Sequence, residues 1–243
     1  MDQRLTSPPS RVRRSRAEQK QETREALTMA ALMAFARDGY HGASLDGIAG
    51  EAGFSKGAVY SNFGGKAELF LAAMDHNLQA LRGEDWDPFA VPDEGDTAGA
   101  DSGVADSGVA PAEEAAMLVR GFGLAMLEFI ATAARDAALG EQLRDRVQIM
   151  IGAYGRIAAE SRPAGENLPV DDVAQLMAAL DQGVSVLALS GVASVDGALL
   201  RTGLRRLVDP SGAADDPTPS RTGRGTGLPD VERVQRLARD TDF

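Results

Sequence analysis

No cysteine occurs in the chain, so neither a disulfide framework nor thiolate chemistry is open to it, as suits a reducing cytoplasm. Histidine is almost as scarce. His41 and His76 are the only two, and neither sits in a Glu/Asp pattern with metal-ligand or general-base spacing. The chain is therefore expected not to be an enzyme and to need no metal or other cofactor. No apolar run is expected to approach the roughly 18 residues of a membrane span, and the Arg-rich start does not read as a signal peptide. A soluble, cytoplasmic protein without a membrane partner is expected.

Positive charge is missing from one whole stretch. Residues 83–112 hold no Lys or Arg while accumulating Glu84, Asp85, Asp87, Asp93, Glu94, Asp96, Asp101 and Asp106. Within them Ala100-Asp101-Ser102-Gly103-Val104 repeats at once as Ala105-Asp106-Ser107-Gly108-Val109. The carboxylate spacing fits no EF-hand loop. Such a composition reads as an acidic low-complexity linker with nothing to bury. The formal net charge of −11 is divided unevenly: 11 Lys/Arg against 9 Asp/Glu in residues 1–82, and 14 against 27 in residues 83–243. One end can thus meet phosphates while the acidic remainder supports solubility.

The most informative stretch that is present runs over residues 44–63. It reads as two short helices joined by a tight turn, the geometry that lays a helix in the DNA major groove. Ile48 and Val59 supply apolar weight, and Ala49 and Ala52 let the helix axes approach. Gly53 stands where a positive φ is needed. Phe54 is expected to plug the turn, while Ser44 and Ser55 are placed to cap the two helices. Before this unit, Ala26, Met29, Ala30, Leu32, Met33, Phe35 and Ala36 recur at helical spacing over residues 17–37, stopped near Gly39. After it, Gly64-Gly65 breaks the chain, and a longer helix from Lys66 carries Leu69, Phe70, Ala73, Met74 and Leu78.

The order Phe35-Ala36…Gly39-Tyr40…Ser44-Leu45…Ile48-Ala49…Ala52-Gly53-Phe54-Ser55-Lys56-Gly57-Ala58-Val59-Tyr60…Phe63…Lys66…Glu68-Leu69-Phe70 resembles the amino-terminal domain of TetR-type transcriptional regulators. The resemblance spans residues 24–74 without a gap. It implies an all-α fold: an amino-terminal three-helix helix-turn-helix DNA-binding domain, then a carboxy-terminal helical effector-binding and dimerisation domain. It further implies a homodimer on a near-palindromic stretch of double-stranded DNA, probed by a small hydrophobic effector and acting as a repressor. An effector-independent architectural or interaction protein using the same motif as a docking surface is the alternative. Three positions depart from the family pattern. Gly65 replaces a usual Ser cap, Gly47 lowers helix propensity by up to about 1 kcal/mol relative to Ala, and Asn62 replaces a His or aromatic.

On this reading Lys56, Gly57, Ala58, Tyr60, Ser61 and Asn62 form the exposed face of the recognition helix, with Val59 and Phe63 turned inward. Ser61 and Asn62 would meet base edges. By resemblance, Tyr60, Lys66 and Ser44 would grip phosphates. Ser44 and Ser55 would also be caps in any helical protein, and Lys66 could simply be solvated. Residues 1–16 form a basic arm in which Arg13, Arg14 and Arg16 are set to neutralise phosphates or enter the minor groove; as a solvated tail they would do neither.

The DNA-binding unit is assigned to residues 17–82 and the carboxy-terminal domain to 113–209, with a largely disordered tail over 210–243. Helical stripes include Phe122, Met126 and Phe129, then Met150 and Tyr154. These five are either ordinary core or the wall of an effector cavity. The last two helices carry Val173, Leu176, Leu180, Val184 and Leu187, then Leu200 and Leu204, beside small residues that permit close contact. They form either a dimer interface or monomer core.

Overall fold

The computed structural model describes residues 15–83, 86–90, 111–191 and 197–212. Among them all regular structure is helical: α1 (Arg16–Gly42), α2 (Leu45–Glu51), α3 (Lys56–Asn62), α4 (Lys66–Arg82), α5 (Pro111–Ala133), α6 (Ala137–Ser161), α7 (Val170–Ser190) and α8 (Gly197–Val208). The expected all-α class and the helix-turn-helix order are both present.

Local chemistry accounts for the helix ends. Ser15 opens α1 with a capping box: its hydroxyl accepts from Glu18 N–H at 3.1 Å, and the Glu18 carboxylate accepts from Ser15 N–H at 2.6 Å. Arg16 is consequently the first helical residue rather than the last of a free arm. Arg13 and Arg14 lie outside the described residues. Helical geometry breaks at Gly39 (φ 75°), where a side chain would be strained. Asp136 caps α6 by accepting from the Ala138 and Leu139 amides, and Gly191 ends α7 in the left-handed region (φ 68°). Glu68 in the first turn of α4 accepts from the Gly64 amide at 2.7 Å, one residue before the cap Gly65.

Two apolar cores result. The first gathers Leu27, Phe35 and Tyr40 of α1, Ile48 and Ala49 of α2, Val59 of α3 and Phe70 of α4 around Ala125 and Phe129 of α5. Phe70 is its hub, with ring centroids 4.9 Å from Phe35, 5.2 Å from Tyr40, 5.3 Å from Phe122 and 4.5 Å from Phe129. Each such pair adds about 0.5–1.5 kcal/mol beyond its buried area. The second core joins α6, α7 and α8 through Tyr154, Ala158, Val173, Met177, Val184, Leu200 and Leu204. Trp86 and Phe89 pack against it, Trp86 edge-on to Tyr154 at 5.1 Å. The expectation that residues 83–112 bury nothing therefore fails at these two aromatics, whose apolar area outweighs their acidic setting.

The composition expectation on apolar runs also needs correcting. The stretches 114–133 and 170–190 are each long and apolar enough to cross a membrane by length and composition. Arg120 and Glu128 interrupt the first as an uncharged run, which hid it from a search for unbroken stretches. A core helix of a soluble bundle passes the same test, and α7 supplies seven buried residues here.

Helices α1 and α5 approach closely. A Cβ built on Gly121 would stand 1.9 Å from the Ala36 carbonyl oxygen. Backbone cannot yield as a flexible side chain does, so Gly121→Ala is expected to destabilise the fold by about 3 kcal/mol in urea unfolding. Gly152→Ala on α6, where a Cβ meets nothing within 4 Å, should instead leave stability unchanged or raise it by up to about 1 kcal/mol.

Candidate nucleic-acid interface

Ser44 caps α2 by accepting from the Gly47 amide at 3.0 Å. A Cβ on Gly47 would come to 3.0 Å from that same hydroxyl oxygen, so the low-propensity glycine makes room for the cap. The chain then turns at Gly53 (φ 76°), as expected. Phe54 holds the turn with its backbone, donating to Ala49 O at 2.8 Å, but its ring remains half exposed instead of plugging the turn. Ser55 occupies the cap position of α3 with extended backbone, yet its hydroxyl makes no cap bond.

Val59 and Phe63 are buried in the first core, which turns the opposite face of α3 outward. That face presents Lys56, Gly57, Tyr60 and Ser61; the Tyr60 ring is 55% exposed. Ala58 is half buried against the core. Ser61 Oγ donates to Ala58 O at 3.0 Å and accepts from Asn62 Nδ2 at 3.4 Å, which leaves one lone pair for a further donor. Asn62 departs from expectation. Its Nδ2 donates back to Ala58 O at 2.9 Å, and its Oδ1 is buried without a partner. The amide thus serves the last turn of a short helix and is not brought to the exposed face with Tyr60 and Ser61.

Charges around α3 are each engaged. Lys56 Nζ pairs with Asp46 on α2 at 2.8 Å, and the pair pushes the lysine pKa up. Lys66, at the start of α4, is not merely solvated: its ammonium donates to His41 O at 2.9 Å and lies 5.2 Å from the Tyr40 ring centroid. Burial pushes its pKa down, and the nearby Glu128 carboxylate opposes that shift. Glu128 itself projects from α5 and accepts from His41 N–H at 2.9 Å, so α5 grips the turn leading into α2. Arg37 bridges Asp38 and Glu51, both at 2.8 Å, tying α1 to the end of α2. Arg16 is exposed at the start of α1.

Arg24 is a residue that sequence reasoning missed. From α1 its guanidinium lies 4.2 Å from the Phe63 ring centroid and donates to Asn62 O, covering an orphan carbonyl at the end of α3. Asp46 and Glu128 were missed likewise. No local signal marks these contacts, because their partners lie 38, 10 and 87 residues away along the chain.

The candidate effector residues are not brought together. Phe122, Met126 and Phe129 join the first core, whereas Met150 and Tyr154 join the second. The physical reason is that α5 faces α1 while α6 faces α7. The candidate interface residues divide too. Val173, Val184, Leu200 and Leu204 are buried within the single chain, and Leu180 packs against the same core. Leu176 (46% exposed) and Leu187 (43%) remain outward on α7, together with Val186.

Residues 27–73 match the family model described as bacterial regulatory proteins, tetR family. The chain is 38% identical over 74 residues to the HTH-type transcriptional activator FasR of Mycolicibacterium smegmatis, covering 30% of this chain and 34% of that protein. It is 42% identical over 69 residues to the HTH-type transcriptional regulator SrpR of Pseudomonas putida, covering 27% and 32%. The chain thus spans about a third of the length of these two relatives. Among solved structures, a TetR-family regulator from Rhodococcus sp. superposes with a TM-score of 0.51 at 21% identity, covering 80% of this chain and 97% of that one. Salmonella enterica GusR superposes with a TM-score of 0.50 at 21% identity, covering 76% and 95%. At that identity the likeness is one of fold.

Arg24→Met keeps the aliphatic stem and removes the donor to Asn62 O. It is expected to cost about 1–2 kcal/mol and to speed hydrogen exchange at the Phe63 amide, which bonds Val59 O at 2.7 Å. Exchange within α7 should not change.

Proposed function

We propose that this chain, whose residues 27–73 match the model of the tetR family of bacterial regulatory proteins, is an effector-responsive transcriptional repressor that binds a near-palindromic operator as a homodimer. The observation that carries this reading is the outward face of α3. Val59 and Phe63 anchor the helix, leaving Lys56, Gly57, Tyr60 and Ser61 turned away from the core. Gly57 adds no bulk at the amino end of the helix, which permits close approach to a groove. Tyr60 supplies a phosphate contact, and Ser61 supplies a base-edge contact.

Pairing of two chains through α7 is supported by its unpartnered apolar strip, on which Leu176, Val186 and Leu187 flank the small residues Ala179 and Gly183. Two recognition helices spaced about one DNA turn apart would follow. Effector response is supported by the link between α6 and α4. Arg146 pairs with Asp75 at 2.7 Å, and Arg156 donates to Leu81 O at 2.6 Å. An apolar effector that repacks the second core near Met150 and Tyr154 would move α6, and α4 would carry that movement to α3. Such an effector shifts the equilibrium only by its differential affinity for the two arrangements.

Footprinting on the DNA upstream of the protein's own gene tests the reading. A discrete protected palindrome supports it, and a reporter that rises when the protein is supplied refutes repression. Tyr60→Phe should weaken binding on all sequences alike, whereas Ser61→Ala should alter preference at particular bases; equal losses on every duplex would refute that division of roles. The double change Leu176→Glu, Leu187→Glu is expected to give a folded monomer by light scattering with greatly weakened operator binding.

A further inference from the structure

Asp46 places a carboxylate on the surface proposed to meet DNA. It lies in the first turn of α2, is 66% exposed, and accepts a hydrogen bond from Lys56 Nζ at 2.8 Å. Lys56 is the first residue of α3 and is 48% exposed, on the same edge as Gly57, Tyr60 and Ser61. An exposed pair of this kind adds little to folding stability, and a carboxylate in the first turn of a helix adds about 0.3–1 kcal/mol, so the larger consequence of the pair falls on the ammonium that it holds.

We infer that Asp46 is an electrostatic restraint on the interface: it sequesters the Lys56 ammonium from DNA phosphates and lowers phosphate-driven affinity. The inference rests on the DNA-binding reading above. An ammonium has three N–H donors, so Lys56 could in principle hold Asp46 and a phosphate together. A phosphate within its reach, however, also comes close to the Asp46 carboxylate, and the two anions repel. Lys56 must therefore leave Asp46, or the phosphate must stay distant. Either way one contact per recognition unit is weakened. The other cations near α3 show why this one matters. Arg24 is committed to Phe63 and Asn62, Arg37 to Asp38 and Glu51, and Lys66 to His41 O. Lys56 is the cation on the outward edge of α3 itself, and Asp46 is the group that occupies it.

The test measures binding of the full chain to a short random-sequence duplex between about 50 and 200 mM salt, a range over which phosphate contacts dominate the change in affinity. Asp46→Asn removes the charge and keeps the shape. Its log affinity against log salt is expected to steepen by about 0.9 per recognition unit, equivalent to about eightfold tighter binding for each tenfold fall in salt. Asp46→Ser should behave alike and guards against a local effect of the asparagine. Adding Lys56→Met to Asp46→Asn should abolish the gain. Unchanged affinity and slope in both single variants overturn the inference. So does a gain that survives Lys56→Met, since Asp46 would then act by general repulsion and not through Lys56. A wild-type chain that binds no duplex at any of these salt concentrations refutes the DNA-binding reading itself, and the inference with it.

Discussion

The rest of the structure depends on the contact between α1 and α5. Gly121 brings the α5 backbone against the Ala36 carbonyl, closer than any residue with a side chain would allow. That approach sets Phe129 and Phe122 against Phe70, and Phe70 in turn touches Phe35 and Tyr40. The helix-turn-helix unit therefore does not own its core. Its central aromatic packs partly on a helix that begins more than a hundred residues into the chain. The consequence is mechanical: α5 cannot shift without disturbing the surface on which α2 and α3 rest.

The recognition helix shows why such support matters. Seven residues are too few for a helix to persist alone in water, because nucleation costs more than so few hydrogen bonds return. The amino end of α3 has no side-chain cap, since the Ser55 hydroxyl makes no bond to it. Tertiary contacts replace the missing local ones. Val59 and Phe63 anchor one face and Arg24 covers the Asn62 carbonyl, while within the helix the Asn62 side chain donates to Ala58 O. The outward face keeps Gly57 and Tyr60 exposed, while Lys56 on its edge is paired with Asp46.

Polar links join this unit to the remaining helices at two places. Glu128 and Lys66 hold the backbone of His41 from opposite sides, at the turn that feeds α2. Arg146 and Arg156 fasten α6 to α4. The first link passes through the shared aromatic core and the second leads toward the second core.

The sequence by itself determined the all-α class, the helix-turn-helix with its turn at Gly53, and the inward direction of Val59 and Phe63. These follow from local rules: periodicity, capping and the φ that glycine alone adopts cheaply. Only the tertiary structure decided which stripes face which partners. Phe122 and Phe129 looked like neighbours of Met150 and Tyr154 along the chain, yet they sit in different cores, because α5 packs on α1 and α6 on α7. The same holds for Val173 and Leu200, buried within one chain where an interface was expected, and for Trp86, drawn from an acidic stretch onto Tyr154. Asn62 is a different case: its side chain bonds back to Ala58 O four residues earlier, a local contact within α3. Periodicity says that a residue faces apolar surroundings; it carries no information about whose surroundings they are.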